Sequence, residues 1–207
     1  GNWSDGPTDH GVEAERAYLE RCCAWQRSKF DGGFAAIPWP RKYGGREGSA
    51  IDAMIYRDEE AHFDVTNGFL MASIALVGPA LLVHGSETQR ERFLPPLLRG
   101  DEVWCQLFSE PEAGSDLARL GTSASRHGDE LIVNGQKLWT SGAQYADWGF
   151  LLVRTNPDAL KHDGISFVLI DMRQPGIEVR PLVTMSRDRH FNEVFFNGAR
   201  VPLANVV

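Results

Sequence analysis

The 207-residue sequence has no apolar stretch that approaches the roughly 20 residues a helix needs to cross a bilayer. The run Phe69–Val83 comes closest, but Ser73, Gly78 and Pro79 interrupt it. The first segment, Gly1–Thr8, is polar and shows no apolar core of a signal peptide. We therefore expect a protein without a membrane span that works in the cytoplasm.

Cysteine is scarce, and no metal-binding pattern is present. The three cysteines are Cys22, Cys23 and Cys105, and pairing the two adjacent ones would close a strained ring. Free thiols in a reducing cytosol are therefore expected. Neither these residues nor the six scattered histidines have the spacing of a zinc site, so metal catalysis is not expected.

Positive charge is also in deficit. Lys and Arg number 21 against 28 Asp and Glu, which gives a net charge of −7 and argues against general nucleic-acid binding. Local basic groups could still meet an anionic ligand. With 43% hydrophobic and 24% charged residues, the composition is that of a soluble globular protein with one large or two small domains.

The first half of the sequence has helical patterns. Apolar residues recur at helical spacing from Val12 to Phe30, and Asp31-Gly32-Gly33 ends that pattern. Ser49 is a plausible N-cap for a helix that reaches about His62. Further helices are predicted over Leu70–His84 and Glu87–Leu98, the latter stopped by Gly100. Four charged residues are interpreted as a solvated helix face: Glu59, Glu60, Arg90 and Arg92.

After Gly100 the pattern changes to short β-prone runs without long helices between them. Turn signals such as His127-Gly128-Asp129 and Asn134-Gly135 separate them. This favours an antiparallel sandwich or barrel, hence an α+β protein with a helical domain over 1–100 and a β domain over 101–207. The predicted strand runs are Val103–Phe108, Leu131–Asn134, Gly149–Arg154, Ile165–Asp171 and Val194–Phe196.

Two segments carry the strongest chemical signal: Phe108–Asp116, which reads FSEPEAGSD, and Asn134–Ser141, which reads NGQKLWTS. In their order and spacing they resemble the signature of the acyl-CoA dehydrogenase family. Other segments resemble that family in the matching order, so the similarity covers nearly the whole chain: Trp39–Gly45, His84–Gln89, Phe93–Gly100 and Val201–Val206.

The resemblance implies FAD as cofactor, an acyl-CoA substrate and electron-transfer flavoprotein as electron acceptor, in a homo- or hetero-oligomer. In this family a carboxylate removes the acyl α-proton while the β-hydride moves to the flavin. That carboxylate lies in a second helical bundle, which we do not expect within these 207 residues. No residue is therefore named as the base, and the chain is expected to be inactive alone.

The flavin is a flat amphiphilic ring that needs an aromatic wall, hydrogen-bonding groups for its polar edge and a close-approach loop. Trp139 could supply the aromatic wall, and Ser109 and Ser141 could supply hydroxyl groups for the polar edge. Gly114 could let the ligand approach the backbone closely. Ser115 is predicted to bind both cofactor and substrate, while Glu110 is interpreted as structural. The predicted cofactor residues are Gln106, Phe108, Ser109, Gly114, Ser115, Trp139, Thr140 and Ser141.

Less specific interpretations stay open. Trp139 could be a core residue, and Ser109 and Ser141 simple turn hydroxyls. Gln106 stands where many family members carry an aromatic residue, so its surroundings are expected to be more polar. A flavin oxidase or monooxygenase of the same fold, or a non-catalytic acyl-CoA-binding or assembly subunit, remains an alternative. The acyl length, branching or steroid nature of the substrate is not predicted.

Overall fold

The computed structural model describes residues 11–207, which form two compact units. The first unit ends at Val103 and the second comprises Trp104–Val207. The domain boundary predicted after Gly100 falls three residues before this division. Cys22, Cys23 and Cys105 carry free thiols. Over the described residues, no helix is long and apolar enough to cross a membrane.

The first unit is helical, and a serine side chain caps the N-terminus of two of its helices. The Ser49 hydroxyl accepts a hydrogen bond from the Asp52 amide, and the Asp52 carboxylate accepts one from the Ser49 amide, so the N-cap prediction is confirmed. Ser86 starts another helix in the same way, and Gly100 ends it in the left-handed conformation. The α-helices are α1 (Val12–Asp31), α2 (Ala50–Glu60), α3 (Gly78–His84) and α4 (Glu87–Arg99).

The helix predicted over Leu70–His84 is not uniform. A 3₁₀ turn covers Gly68–Leu70 and a π-helical turn covers Ser73–Val77 before α3 begins. Pro79 has no amide hydrogen to continue an α-helical ladder, and the Gly78 amide instead reaches the Ser73 carbonyl. The apolar pattern therefore predicted helicity correctly but could not show how the proline changes the hydrogen bonding.

One polar prediction in the first unit is wrong. Glu60 was expected on a solvated face, yet it pairs with Lys29 at 3.0 Å and accepts a hydrogen bond from Trp25 Nε1 at 2.6 Å. Lys29 is buried, and desolvation lowers its pKa. A buried ammonium group is tolerated only when it is paired with an opposite charge. Glu60 therefore stabilises the buried Lys29 inside this unit.

The second unit is a seven-stranded sheet. Its order is β1-β4-β2-β3-β7-β6, with β5 on the other edge of β4. The pairs are antiparallel except β1 with β4 and a single parallel pairing of β2 with β4. The strands are β1 (Trp104–Leu107), β2 (Ser123–His127), β3 (Glu130–Ser141), β4 (Trp148–Arg154), β5 (Ile165–Asp171), β6 (Ile177–Pro181) and β7 (Phe191–Pro202).

The long ladder between β3 and β7 contains two irregularities that shape the site. The first lies opposite Val133/Asn134, where Gly198 of β7 is the extra residue, so Asn134-Gly135, predicted as a turn, instead lies within the continuous strand β3. Gly135 has φ 149°, and a Cβ there would lie 2.6 Å from Thr122 Oγ1. The second lies between Lys137 and Thr140. The turn predicted at residues 127–129 does join β2 to β3.

Candidate functional site

A cavity of about 190 Å³ opens in the second unit, beside the end of β1 and the second bulge of β3. This is below the ~300 Å³ of a typical small-molecule pocket, so it fits part of a flat ring and not a whole dinucleotide. Among the predicted residues it brings together Gln106, Phe108, Ser109, Gly114 and Trp139. Leu117 and Leu138 complete the lining.

Sequence reasoning missed the two leucines because an apolar side chain carries no chemical signal of its own. Leu138 lies inside the motif, directly before Trp139, and its position there was the available indication. Leu117 belongs to a 3₁₀ turn, Leu117–Arg119, that follows Asp116. Together they make the cavity apolar on two sides, as a ring-binding site requires.

The segment Phe108-Ser109 is fixed to β3 through both of its carbonyl groups. The Leu138 amide donates to the Ser109 carbonyl at 2.8 Å, and Lys137 Nζ donates to the Phe108 carbonyl at 3.1 Å. The Phe108 ring packs edge-on against Phe150 at 5.6 Å. Within the described chain the Ser109 hydroxyl has no hydrogen-bond partner, which leaves it available to a ligand in the cavity.

A buried ion pair stands behind that segment. Lys137 Nζ lies 2.7 Å from Glu110 Oε1, with the lysine side chain fully buried and the glutamate 7% exposed. Glu110 also accepts the Gly121 amide at 2.6 Å and the Thr122 amide at 3.0 Å. Glu110 thus joins the segment after β1 to β3 and to the start of β2.

The charge states of this pair follow from its contacts. Desolvation by itself raises the pKa of Glu110, but the hydrogen bonds from Lys137, Thr122 and Gly121, with the lysine charge, hold it below its usual range. Desolvation lowers the pKa of Lys137, which the bond to Glu110 opposes. A carboxylate held ionised by three donors cannot easily accept a proton, so Glu110 is unsuited to be a general base.

Trp139 combines exposure with backbone strain. Its side chain is 56% exposed, and its φ of 60° lies in the left-handed region, where a bulky residue is a clear outlier. The indole meets the Phe191 ring edge-to-face at 5.7 Å. A core tryptophan would be buried and relaxed, so the interpretation of Trp139 as a core residue is wrong. Strained residues of this kind concentrate at functional sites.

The loop from Glu110 to Ser115 leaves open space. Glu110 and Ala113 exchange backbone hydrogen bonds at 2.8 and 3.2 Å across Pro111 and Glu112, and Ala113 is buried. A Cβ built on Gly114 would meet no atom within 4 Å. Packing within this chain therefore does not require glycine there, whereas close approach of a ligand would. Ser115 is exposed and does not line the cavity.

The two hydroxyls after Trp139 face opposite ways, because side chains alternate along a strand. Thr140 is 1% exposed, and its Oγ1 has no partner in the chain from residue 11 onward. It points into the unit and not into the cavity, so a flavin contact through the Thr140 side chain gains no support. Ser141 is exposed, although it does not line the cavity itself.

The residues present fit an aromatic ring system with polar edges. The cavity offers the exposed Trp139 indole, the unpaired Ser109 hydroxyl and the amide of Gln106, which also has no partner among residues 11–207. No carboxylate is among its lining residues. Within the same range no group of three His, Cys, Asp or Glu could hold a metal ion. The arrangement can therefore bind and orient a ring but provides no proton acceptor of its own.

Comparison with known proteins agrees with this arrangement. The model of the acyl-CoA dehydrogenase middle domain matches residues 105–199, and that of the N-terminal domain matches residues 10–101. Acyl-CoA dehydrogenase IpdE1 of Mycobacterium tuberculosis is 38% identical over 197 residues, which is 95% of this chain and 51% of the relative.

Solved structures show the same relationship. The Tcur3481-Tcur3483 steroid ACAD superposes with a TM-score of 0.81 at 34% identity, over 93% of this chain and 50% of that one. The ChsE4-ChsE5 complex from Mycobacterium tuberculosis superposes with a TM-score of 0.78 at 37% identity, over 96% and 51%. The chain thus spans about half the length of these relatives. It belongs to the acyl-CoA dehydrogenase family, of which it carries the N-terminal helical domain and the middle β domain.

Proposed function

We propose that the chain supplies the flavin-binding and acyl-CoA-binding part of an FAD-dependent acyl-CoA dehydrogenase. The observation that carries this proposal is the cavity in which Gln106, Phe108, Ser109 and Gly114 meet the strained, exposed Trp139. When bound, the flavin accepts the hydride that leaves the acyl β-carbon. The predicted role of Ser115 toward cofactor and substrate, and that of Ser141, remain part of the proposal.

The chain's own residues would bind, orient and exclude water. Trp139 covers one face of the ring, and the Ser109 and Ser141 hydroxyls donate hydrogen bonds to its polar edge. Gly114 lets the ligand approach the backbone closely. Because no carboxylate lines the cavity and Glu110 is engaged by Lys137, the base that removes the α-proton would come from outside the lining of this cavity.

The direct test is a flavin titration of the 207-residue chain. Binding should shift the visible spectrum of FAD and quench its fluorescence, since an indole would lie against the ring. The chain alone, with FAD, acyl-CoA and a dye acceptor, should show little turnover, because general-base catalysis contributes ~10²–10⁴-fold. Rapid turnover would refute the proposal that this chain lacks the catalytic base. A chain that binds no flavin would refute the proposed function.

We further propose a steroid-derived acyl-CoA as the first substrate class to test, and a second subunit as partner. Both rest on similarity: one relative is named a steroid ACAD, and another is a complex of two proteins. A steroid side-chain thioester should perturb the bound flavin at lower concentration than a straight-chain thioester of equal carbon number. Equal response to both would remove the steroid assignment.

One observation favours a second candidate, a non-catalytic binding subunit: the cavity has no carboxylate. The candidates separate when the chain is mixed with a separately produced C-terminal helical domain of the family. Turnover that appears only in the mixture supports a dehydrogenase half, with electron-transfer flavoprotein as acceptor. Turnover that requires oxygen and not the dye would instead indicate an oxidase or monooxygenase.

A further inference from the structure

The backbone at Trp139 is held from both sides, although nothing in the sequence motif indicates how. The β3–β7 register passes from Lys137 opposite Val194 to Thr140 opposite Asn192, so Leu138 and Trp139 together face the single residue Glu193. Such a bulge redirects side chains. A left-handed tryptophan persists only where its surroundings determine the backbone on each side.

The first side is the ion pair already described. Lys137, the last paired residue before the bulge, is fully buried and bound to Glu110 Oε1 and the Phe108 carbonyl. Its position is therefore fixed by contacts to a different part of the chain. This leaves the far side of the bulge, at Thr140, as the point where the strain could be released.

The far side is held by an amide. Asn192 Nδ2 donates to the Thr140 carbonyl at 2.9 Å and to Gln144 Oε1 at 2.5 Å, and Asn192 is completely buried. Gln144 Nε2 in turn donates to the Arg189 carbonyl at 3.1 Å. Two side-chain amides thus connect the end of β3 to the segment that leads into β7.

Stability alone does not explain an asparagine at this position. Asn192 Oδ1 is buried without a hydrogen-bond partner among residues 11–207, and so is Thr140 Oγ1 beside it on the paired strand. An unpaired buried oxygen destabilises a fold, and a leucine of similar size would avoid that cost. An unsatisfied group that is nevertheless present points to a task other than packing.

We propose that Asn192, seated by Gln144, is a positioning residue that fixes the Thr140 backbone and thereby presents the Trp139 ring to the flavin. The proposal rests on the proposed function for the identity of the ligand. The part of the proposal that concerns the β3 backbone is independent of the proposed function, because it can be measured without flavin. Asn192 is not among the lining residues of the cavity, so its proposed effect on the ligand passes through Trp139.

The flavin-free test is amide hydrogen exchange in Asn192→Leu. Residues 139–141 should exchange at least tenfold faster, while residues 131–133 of the same strand stay unchanged. Asn134→Leu is the matched control, since Asn134 lies at the other bulge and accepts the Gly198 amide at 2.9 Å. Gln144→Leu, at a partly exposed residue, should also speed exchange over residues 139–141. It replaces Asn192→Leu as the test if that variant does not fold. Unchanged exchange over residues 139–141 in both variants would overturn the proposal.

The flavin test is a double-mutant cycle with Trp139→Ala. Asn192→Leu should weaken flavin binding about tenfold in the wild-type background and not at all in the Trp139→Ala background, because its effect passes through the ring. Equal losses in both backgrounds would refute the positioning role. If the wild-type chain binds no flavin but exchange responds as expected, the proposed function fails while the hold on the β3 backbone is supported.

Discussion

Replacing Trp139 by glycine and by alanine separates its two unusual features, an exposed ring and a strained backbone. Both variants remove the ring, whereas only glycine also removes the strain, because it adopts positive φ without a Cβ clash. The φ of 60° at Trp139 and its 56% exposure make this comparison informative. If the residue serves a ligand, stability and flavin binding should respond in different ways.

The expected magnitudes follow from the contacts. A left-handed residue other than glycine costs roughly 1–2 kcal/mol, and the edge-to-face pair with Phe191 contributes about 0.5–1.5 kcal/mol. Trp139→Ala should therefore lose the ring pair and keep the strain, while Trp139→Gly should be more stable than Trp139→Ala by roughly 1–2 kcal/mol. Stacking of an aromatic side chain on a base is worth about 1–3 kcal/mol, so both variants should bind flavin tenfold to a hundredfold more weakly.

Urea unfolding of the flavin-free chain measures the first quantity, and fluorescence titration with FAD measures the second. Phe191→Leu is a useful control, because it removes the ring contact while it leaves Trp139 in place. Two results would refute the reasoning. Equal stability of the glycine and alanine variants would show that the backbone is not strained. Unchanged flavin affinity would show that the Trp139 ring does not cover the flavin.

Further predictions concern other residues around the cavity. Gly114→Ala should leave stability within about 1 kcal/mol, since its Cβ meets no atom within 4 Å, yet weaken flavin binding in a titration; unchanged affinity would mean that no ligand approaches there. Ser141→Ala should weaken flavin binding about two- to tenfold, the worth of one hydrogen bond, whereas Ser125→Ala on β2 should not. Glu110 should make stability fall with acid: its folded-state pKa is lowered, so the folded state binds fewer protons and the stabilisation is lost as pH falls below about 4. Urea unfolding between pH 3 and 7 should show that acid dependence reduced in Glu110→Gln, and an identical slope would contradict the assignment.

Helices and caps could be predicted well because their signals are local. Ser49 and Gly100 act on their own neighbours in sequence, and the structure shows both where the pattern places them. β2 was missed for the opposite reason. Its sequence, SASRH, is largely polar and exposed, so pairing with its long neighbour β3 and not its own pattern makes it a strand. β6 was missed although Ile177 and Val179 alternate with charged residues, because a run of five residues is a weak signal by itself.

The strand β3 shows where local signals mislead. Asn134-Gly135 has the composition of a tight turn, but Gly135 lies against Thr122 and the strand continues to Ser141. A dipeptide cannot indicate whether the chain reverses or continues as a strand, because that depends on the partner strand β7. The prediction that Glu60 is solvated was wrong for a similar reason, because its partners Trp25 and Lys29 are more than thirty residues away in sequence.

Within the candidate site, the two motifs contain residues with two different tasks. Glu110, which the sequence analysis interprets as structural, pairs with Lys137 inside the unit, and the two residues hold Phe108-Ser109 against β3. Removing one partner of such a pair costs about 3–5 kcal/mol, which no ligand contact is needed to explain. Trp139 and Gly114 break local rules, through strain and through unused space, and packing within the chain explains neither. The residues that the fold does not need are therefore those that a ligand would use.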